Sequence, residues 1–171
     1  MNTVLLKALM DDMAQQAKNQ KYYDAFNALE TEYRDAVEKA YGLEDADEYL
    51  REGWFGRAGD VITSRAKALA GNEDVALGRS KMEAVGPKIV RLVRSQGTRD
   101  AFQGAREAEI QIPDPDDPRQ VLSYMGTVRA MDKIPYLPND PRILRRQATQ
   151  QANKSAFDDM MKKVYGEKQG N

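Results

Sequence analysis

Apolar side chains recur at every third or fourth position along most of the chain, and the strict alternation typical of strands is nearly absent. The clearest run extends over about five helical turns and contains Tyr22, Phe26, Leu29, Tyr33, Ala36, Val37 and Ala40. An earlier run contains Leu6, Leu9, Met10, Met13 and Ala17. Because this period matches the 3.6-residue turn of an amphipathic helix, the pattern predicts an all-α fold.

The two N-terminal runs are predicted to form separate helices. The polar residues 19–21 lie between them, and a short polar link between two amphipathic helices is typical of an antiparallel helical hairpin. Gly42 and Leu43 follow the second run. A glycine in the left-handed conformation, with the leucine packing back, would end the helix there.

Several shorter helices are predicted after this hairpin. They are bounded by glycine, proline and capping residues, and they cover about 44–52, 57–70, 73–85, 87–96 and 98–110. Gly86 and Pro87 are predicted to divide two of them, because proline disfavours a helix interior but suits the first helical position.

Two proline-rich links follow, at 111–117 and 133–140. Each ends in an aspartate that precedes a proline, and this pairing is typical of a capped helix start. It predicts helices over about 118–132 and 141–165. The predicted organisation is a helical bundle over 1–110, proline-rich links flanking a helix over 111–140, and a proline-linked C-terminal helical arm over 141–171.

The 171 residues contain no histidine and no cysteine. These side chains supply most general bases near neutral pH, the nucleophilic thiols, and nearly all zinc, copper and haem ligands. The other reactive side chains form no recognisable catalytic arrangement or phosphate-binding loop. We therefore expect a non-enzymatic protein without a cofactor or a metal. The lack of cysteine fits a reducing compartment, and the cytoplasm is the expected location.

Trp54 and Phe55 lie between Gly53 and Gly56, in what the sequence predicts to be a tight turn that places both rings in a hydrophobic seam. The only tryptophan of a small helical protein usually belongs to its core. Tryptophan is also enriched at the energetic centres of protein interfaces. The sequence favours the core and leaves a partner contact open.

The second link and the last helix also carry apolar side chains that need a partner. Ile134, Tyr136 and Leu137 should pack against the chain's own fold or another chain. In the last helix an apolar patch follows a polar stretch over 147–155 and contains Phe157, Met160, Met161, Val164 and Tyr165. Docking elsewhere and packing on the chain's own bundle both fit this pattern.

Charge is distributed unevenly along the chain, although the net charge is only −1. Residues 1–60 carry 7 basic and 13 acidic side chains. A basic cluster follows, which includes Lys88, Arg91, Arg94 and Arg99. Such a cluster could track nucleic-acid phosphates. The low sequence pI of about 5.7 and the absence of interleaved aromatic residues argue against a dedicated nucleic-acid domain.

These observations favour a structural, assembly or adaptor subunit that contacts other protein subunits and forms an oligomer. Its predicted interface residues are Trp54, Phe55, Ile134, Tyr136, Leu137, Phe157 and Met161. Small helical components of virus particles, such as phage connector or internal proteins, offer an analogy, which makes the virion an alternative location. Two other hypotheses stay open: a nucleic-acid-associated packaging or regulatory protein, and a small inhibitor that blocks a partner with its acidic N-terminal part.

Overall fold

A computed structural model describes residues 2–97 and 110–169, and these residues form helices, turns and links but no strand. The helices are α1 (Thr3–Tyr41), α2 (Asp47–Arg51), α3 (Trp54–Leu69), α4 (Glu73–Gly97), α5 (Pro118–Asp132) and α6 (Pro141–Gln169). The predicted all-α class is confirmed. The chain divides into two compact units, one up to Pro135 and one from Tyr136 onward. The helix predicted over 98–110 lies, apart from Ile110, outside the described residues.

The predicted N-terminal hairpin is wrong, because α1 continues without a break from Thr3 to Tyr41. Residues 19–21 contain neither glycine nor proline, and side-chain hydrogen bonds at i,i+4 spacing join Gln15 to Asn19 and Gln20 to Asp24 across this region. Polar residues with good helix propensity continue a helix as readily as they leave it. The apolar side chains lie on one side of the helix before residue 20 and on the opposite side after it.

The predicted break between residues 85 and 87 is also wrong, because α4 runs through Pro87. An internal proline removes one backbone hydrogen bond and costs about 3 kcal/mol. Val85 precedes the proline and Ile89, Val90 and Val93 follow it, and all four are buried in one core. Burying each such side chain contributes roughly 1.5–3 kcal/mol, which offsets the cost of keeping the helix continuous.

The predicted helix ends are confirmed where capping residues define them. Gly42 has φ +65°, and the Leu43 N–H donates to the Glu38 carbonyl at 2.9 Å. This is the hydrogen bond of a glycine-terminated helix. Asp117 accepts from the Arg119 N–H at 3.1 Å and begins α5. Asp140 caps α6 in the same manner.

The core of the first unit lies between α1, α4 and α5. Its largest fully buried side chains include Phe26, Tyr33, Ile89 and Met125. The α1–α4 contact is close at Gly78, where a Cβ atom would lie 2.8 Å from the Ala36 carbonyl oxygen. Only glycine allows the two backbones to approach so closely.

Candidate interaction surfaces

The N-terminal part of α1 is entirely exposed. Every residue from Asn2 to Lys18 is exposed, and we call this segment the α1 arm. Its apolar stripe consists of the exposed side chains Leu6, Leu9, Met10 and Met13, followed by Ala17. At about 1.5 Å per residue the arm is roughly 25 Å long. It presents apolar side chains to water along a continuous, regular helix.

The stripe of the α1 arm faces away from the side of α1 that packs on the core. At about 100° per residue, Leu6 and Met13 point roughly opposite to Tyr22 and Tyr33 on the same helix. This angular offset can be read from the sequence. Assigning the two runs to separate helices conceals it, because the offset exists only on one continuous helix.

Helix α3 exposes a second apolar surface, which we call the α3 ridge. It consists of Phe55, Gly59, Ile62, Ala66 and Leu69. These residues are alternately four and three positions apart, and all of them are exposed. Phe55 is 84% exposed and Leu69 is 90% exposed. The opposite side of α3 packs on the other helices of the first unit and buries Ser64. The Ser64 Oγ accepts a hydrogen bond from Arg79 at 3.1 Å. The more polar side of this helix therefore faces the rest of the first unit, and the more apolar side faces solvent.

Trp54 and Phe55 are not core residues, so the prediction that both enter a hydrophobic seam is wrong. Trp54 is 69% exposed, and it forms the first residue of α3 instead of a turn. Its ring meets that of Phe55 edge to face, with the centroids 4.9 Å apart. Both residues remain largely exposed despite this contact.

The apolar link after α5 has its first apolar residue inside the fold. Ile134 is 4% exposed and belongs to the core of the first unit, so its packing is internal. The carbonyl oxygens of Ile134 and Pro135 each accept a hydrogen bond from Arg129 at 3.1 Å. The buried guanidinium of Arg129 also donates to Asn27 at 2.6 Å and to Glu30 at 2.7 Å. One arginine thus fixes the link against α1.

In the second unit, Tyr136 is half-buried beneath Arg142, whose guanidinium carbon lies 4.8 Å from the ring centroid. Leu137 is exposed. In α6, Phe157 is exposed and Met161 is half-buried. The predicted patch at the end of α6 therefore remains largely accessible.

The basic residues Lys88, Arg91 and Arg94 are all exposed on α4. They spread over roughly a third of the helix circumference at steps of three residues. Arg99, which the sequence placed in the same cluster, lies outside the described residues. The three described side chains can reach an anionic partner without any rearrangement of the fold.

A cavity of about 440 Å³ lies in the first unit, and Tyr33, Tyr41 and Tyr49 contribute to its wall. The Tyr33 hydroxyl is buried and has no hydrogen-bond partner among the described residues. Burial raises the pKa of Tyr33, so its hydroxyl keeps its proton. The wall also carries charges of both signs, from Arg65, Arg79, Glu83, Asp116 and Asp117. This mixture favours no single class of ligand.

Two carboxyl groups meet at the start of α3. A hydrogen bond that the protonated Glu52 carboxyl donates to Asp60 raises the pKa of Glu52 to about 7, and burial and the charge of Asp60 act in the same direction. Arg57 opposes this shift, and its Nη1 donates to the Glu52 carbonyl oxygen. Glu52 Oε2 and Asp60 Oδ2 are both shielded from solvent. Neither oxygen has another hydrogen-bond partner among the described residues, so the proton on Glu52 is the one donor that could pair them.

Among the described residues, no helix combines the length and the apolar character that crossing a bilayer requires. No protein-family model matches the chain, and no significant match was found among curated proteins or solved structures.

Proposed function

We propose that this protein is a non-enzymatic structural or adaptor subunit that assembles with other protein subunits through helix-to-helix contacts. The observation that carries the proposal is the α1 arm, whose apolar stripe is exposed and directed away from the core. Contiguous apolar patches on a protein surface mark interaction sites. Exposing Leu6, Leu9, Met10 and Met13 together in water is unfavourable by roughly 1 kcal/mol or more per side chain.

Two further surfaces support this proposal. The α3 ridge and the α6 patch around Phe157 are also exposed, so helices in both units offer apolar contacts. The composition also favours a non-enzymatic role, because the chain has no histidine and no cysteine. We propose the cytoplasm as its location, or a virus particle if the assembly is part of one.

The experiment is a measurement of the mass of the full chain by light scattering over a range of concentrations. We expect the wild type to form an oligomer. The variant Leu6→Lys/Met13→Lys should have the mass of the monomer, 19.3 kDa, because two charges lie on the stripe.

Ala8→Lys/Gln15→Lys is the matched control, since it places the same charges at the same spacing on the opposite side of the exposed arm. This control should assemble like the wild type. A wild type that stays monomeric at every concentration contradicts the proposal. So does equal dissociation of the two double variants.

The exposure of Lys88, Arg91 and Arg94 supports nucleic-acid association as a second candidate. It predicts retention of DNA that weakens steeply with added salt, because each phosphate contact releases counterions. Arg91→Glu/Arg94→Glu should abolish retention and leave the oligomer mass unchanged. No retention by the wild type at low salt contradicts this candidate.

A further inference from the structure

We propose that the α1 arm of one copy docks along the α3 ridge of a second copy of this chain. The inference rests on the proposed function and identifies the surface that receives the arm. Both surfaces are exposed apolar stripes of regular helices, and both belong to the same polypeptide. A chain that carries two complementary surfaces needs no other partner to assemble.

The α3 ridge alternates large and small side chains. Phe55, Ile62 and Leu69 project from it, and Gly59 and Ala66 form two notches between them. Around Gly59 nothing lies within 4 Å of the position a Cβ would occupy, so that notch is open. The notches are seven residues apart, a rise of about 10.5 Å along the helix.

The α1 arm carries projections at the same interval. Leu6 and Met13 are also seven residues apart, and Met10 lies on the stripe between them. When Leu6 and Met13 occupy the two notches, Met10 lies beside Ile62, whichever way the two helices run. Side chains of one helix then fill gaps between side chains of the other, as in ridges-into-grooves packing.

The arm and the ridge of one chain do not reach each other. The helix α1 is continuous from Thr3 to Tyr41, and both stripes are exposed. Bringing them together within one chain would require a break in α1, with loss of its backbone hydrogen bonds. Contact between two copies needs no such change.

Disulfide trapping tests the pairing directly, because the natural chain has no cysteine. Met10→Cys and Ile62→Cys are made as separate single variants, mixed and oxidised mildly. We expect a covalent dimer that contains one chain of each variant. Ala8→Cys, on the opposite side of the arm, is the matched control and should not link to Ile62→Cys.

Three outcomes would overturn this inference alone. In the first, Met10→Cys links only to itself, which means that arms pair with arms. In the second, Ile62→Cys links instead to a Met160→Cys chain, which means that the ridge receives α6. In the third, the wild type forms an oligomer while Met10→Cys and Ile62→Cys do not link, in which case the arm docks elsewhere and the proposed function stands. A monomeric wild type refutes both proposals.

Filling the notches provides an independent test. Gly59→Leu/Ala66→Leu leaves the helix intact, since leucine has a better helix propensity than glycine. It should weaken self-association about ten- to hundredfold, because overpacked contacts are unfavourable. Thr63→Leu/Lys67→Leu, exposed on the same helix about a quarter turn away, should leave association unchanged. An unaltered dissociation constant in the notch variant contradicts the inference.

Discussion

The guanidinium of Arg129 lies 2.7 Å from the carboxylate of Glu30, and both side chains are almost fully buried. Arg129 comes from the end of α5 and Glu30 from the middle of α1, 99 positions apart. The same guanidinium lies over the ring of Phe26, 5.2 Å from its centroid. Because this buried ion pair joins the end of α5 to α1, its loss should affect the whole first unit.

We expect Arg129→Met to destabilise the protein by about 3–5 kcal/mol, because Glu30 would remain buried without its cation. Urea denaturation measures this change. The double variant Glu30→Leu/Arg129→Met should recover part of the loss, since it buries no unpaired charge. Arg91→Met is the control, and as an exposed site it should change stability by less than about 0.5 kcal/mol. Equal effects of Arg129→Met and Arg91→Met would refute the structural role of the pair.

Gly78→Ala should destabilise the fold by about 1–3 kcal/mol. The new Cβ would lie 2.8 Å from backbone atoms of Ala36 and Ala40, so α1 and α4 would have to move apart. Gly126→Ala in α5 is the matched control, because nothing lies within 4 Å of its Cβ position. That variant should gain roughly 0.5–1 kcal/mol from helix propensity. Thermal or urea unfolding distinguishes the two, and a stabilising Gly78→Ala would show that the helices do not cross closely there.

Tyr33→Phe should leave the free energy of unfolding unchanged or raise it by about 1 kcal/mol, because the lost hydroxyl is buried without a partner. Tyr22→Phe offers the comparison, since that hydroxyl donates to the Asp132 carboxylate at 2.7 Å. Its loss should cost about 1–2 kcal/mol. Urea denaturation of both variants checks the difference. A destabilised Tyr33→Phe would mean that the hydroxyl has a partner in solution.

The Glu52–Asp60 pair should make stability depend on pH. The folded-state pKa of Glu52 is about 7, above its ordinary value of 4.5, so the folded chain binds an extra proton between these values. The resulting stabilisation is complete below about pH 4.5 and is lost as the pH rises through about 7. Since Glu52 is only partly shielded, we expect a loss on the order of 1 kcal/mol between about pH 5 and pH 8.

Glu52→Gln tests this dependence, because glutamine keeps the shape of the side chain and does not titrate. Unfolding of the variant and the wild type should be compared across the same pH range. The difference in unfolding free energy between them should change around neutral pH. A difference that stays constant would show that the two carboxyl groups do not share a proton.

Local features of the sequence were sufficient for the fold class and for three of the helix ends. Gly42, Asp117 and Asp140 define helix ends through hydrogen bonds to backbone groups a few residues away, so their effect does not depend on distant contacts. The apolar period over 22–40 also identified a buried face, because one side of a regular helix must cover the core.

The interaction surfaces and the continuity of the helices were decided by the tertiary structure. Pro87 lies within α4 because burial on both sides of it outweighs its cost, and that burial depends on α1 and α5. α3 packs with Ser64 facing Arg79. Ile62 and Leu69 lie on the opposite side of this helix, so they are exposed. Glu30 is paired in the core with Arg129, which lies 99 positions away in the sequence. Periodicity shows that a helix has an apolar side, but only the packing of distant segments decides whether that side faces the core or the solvent.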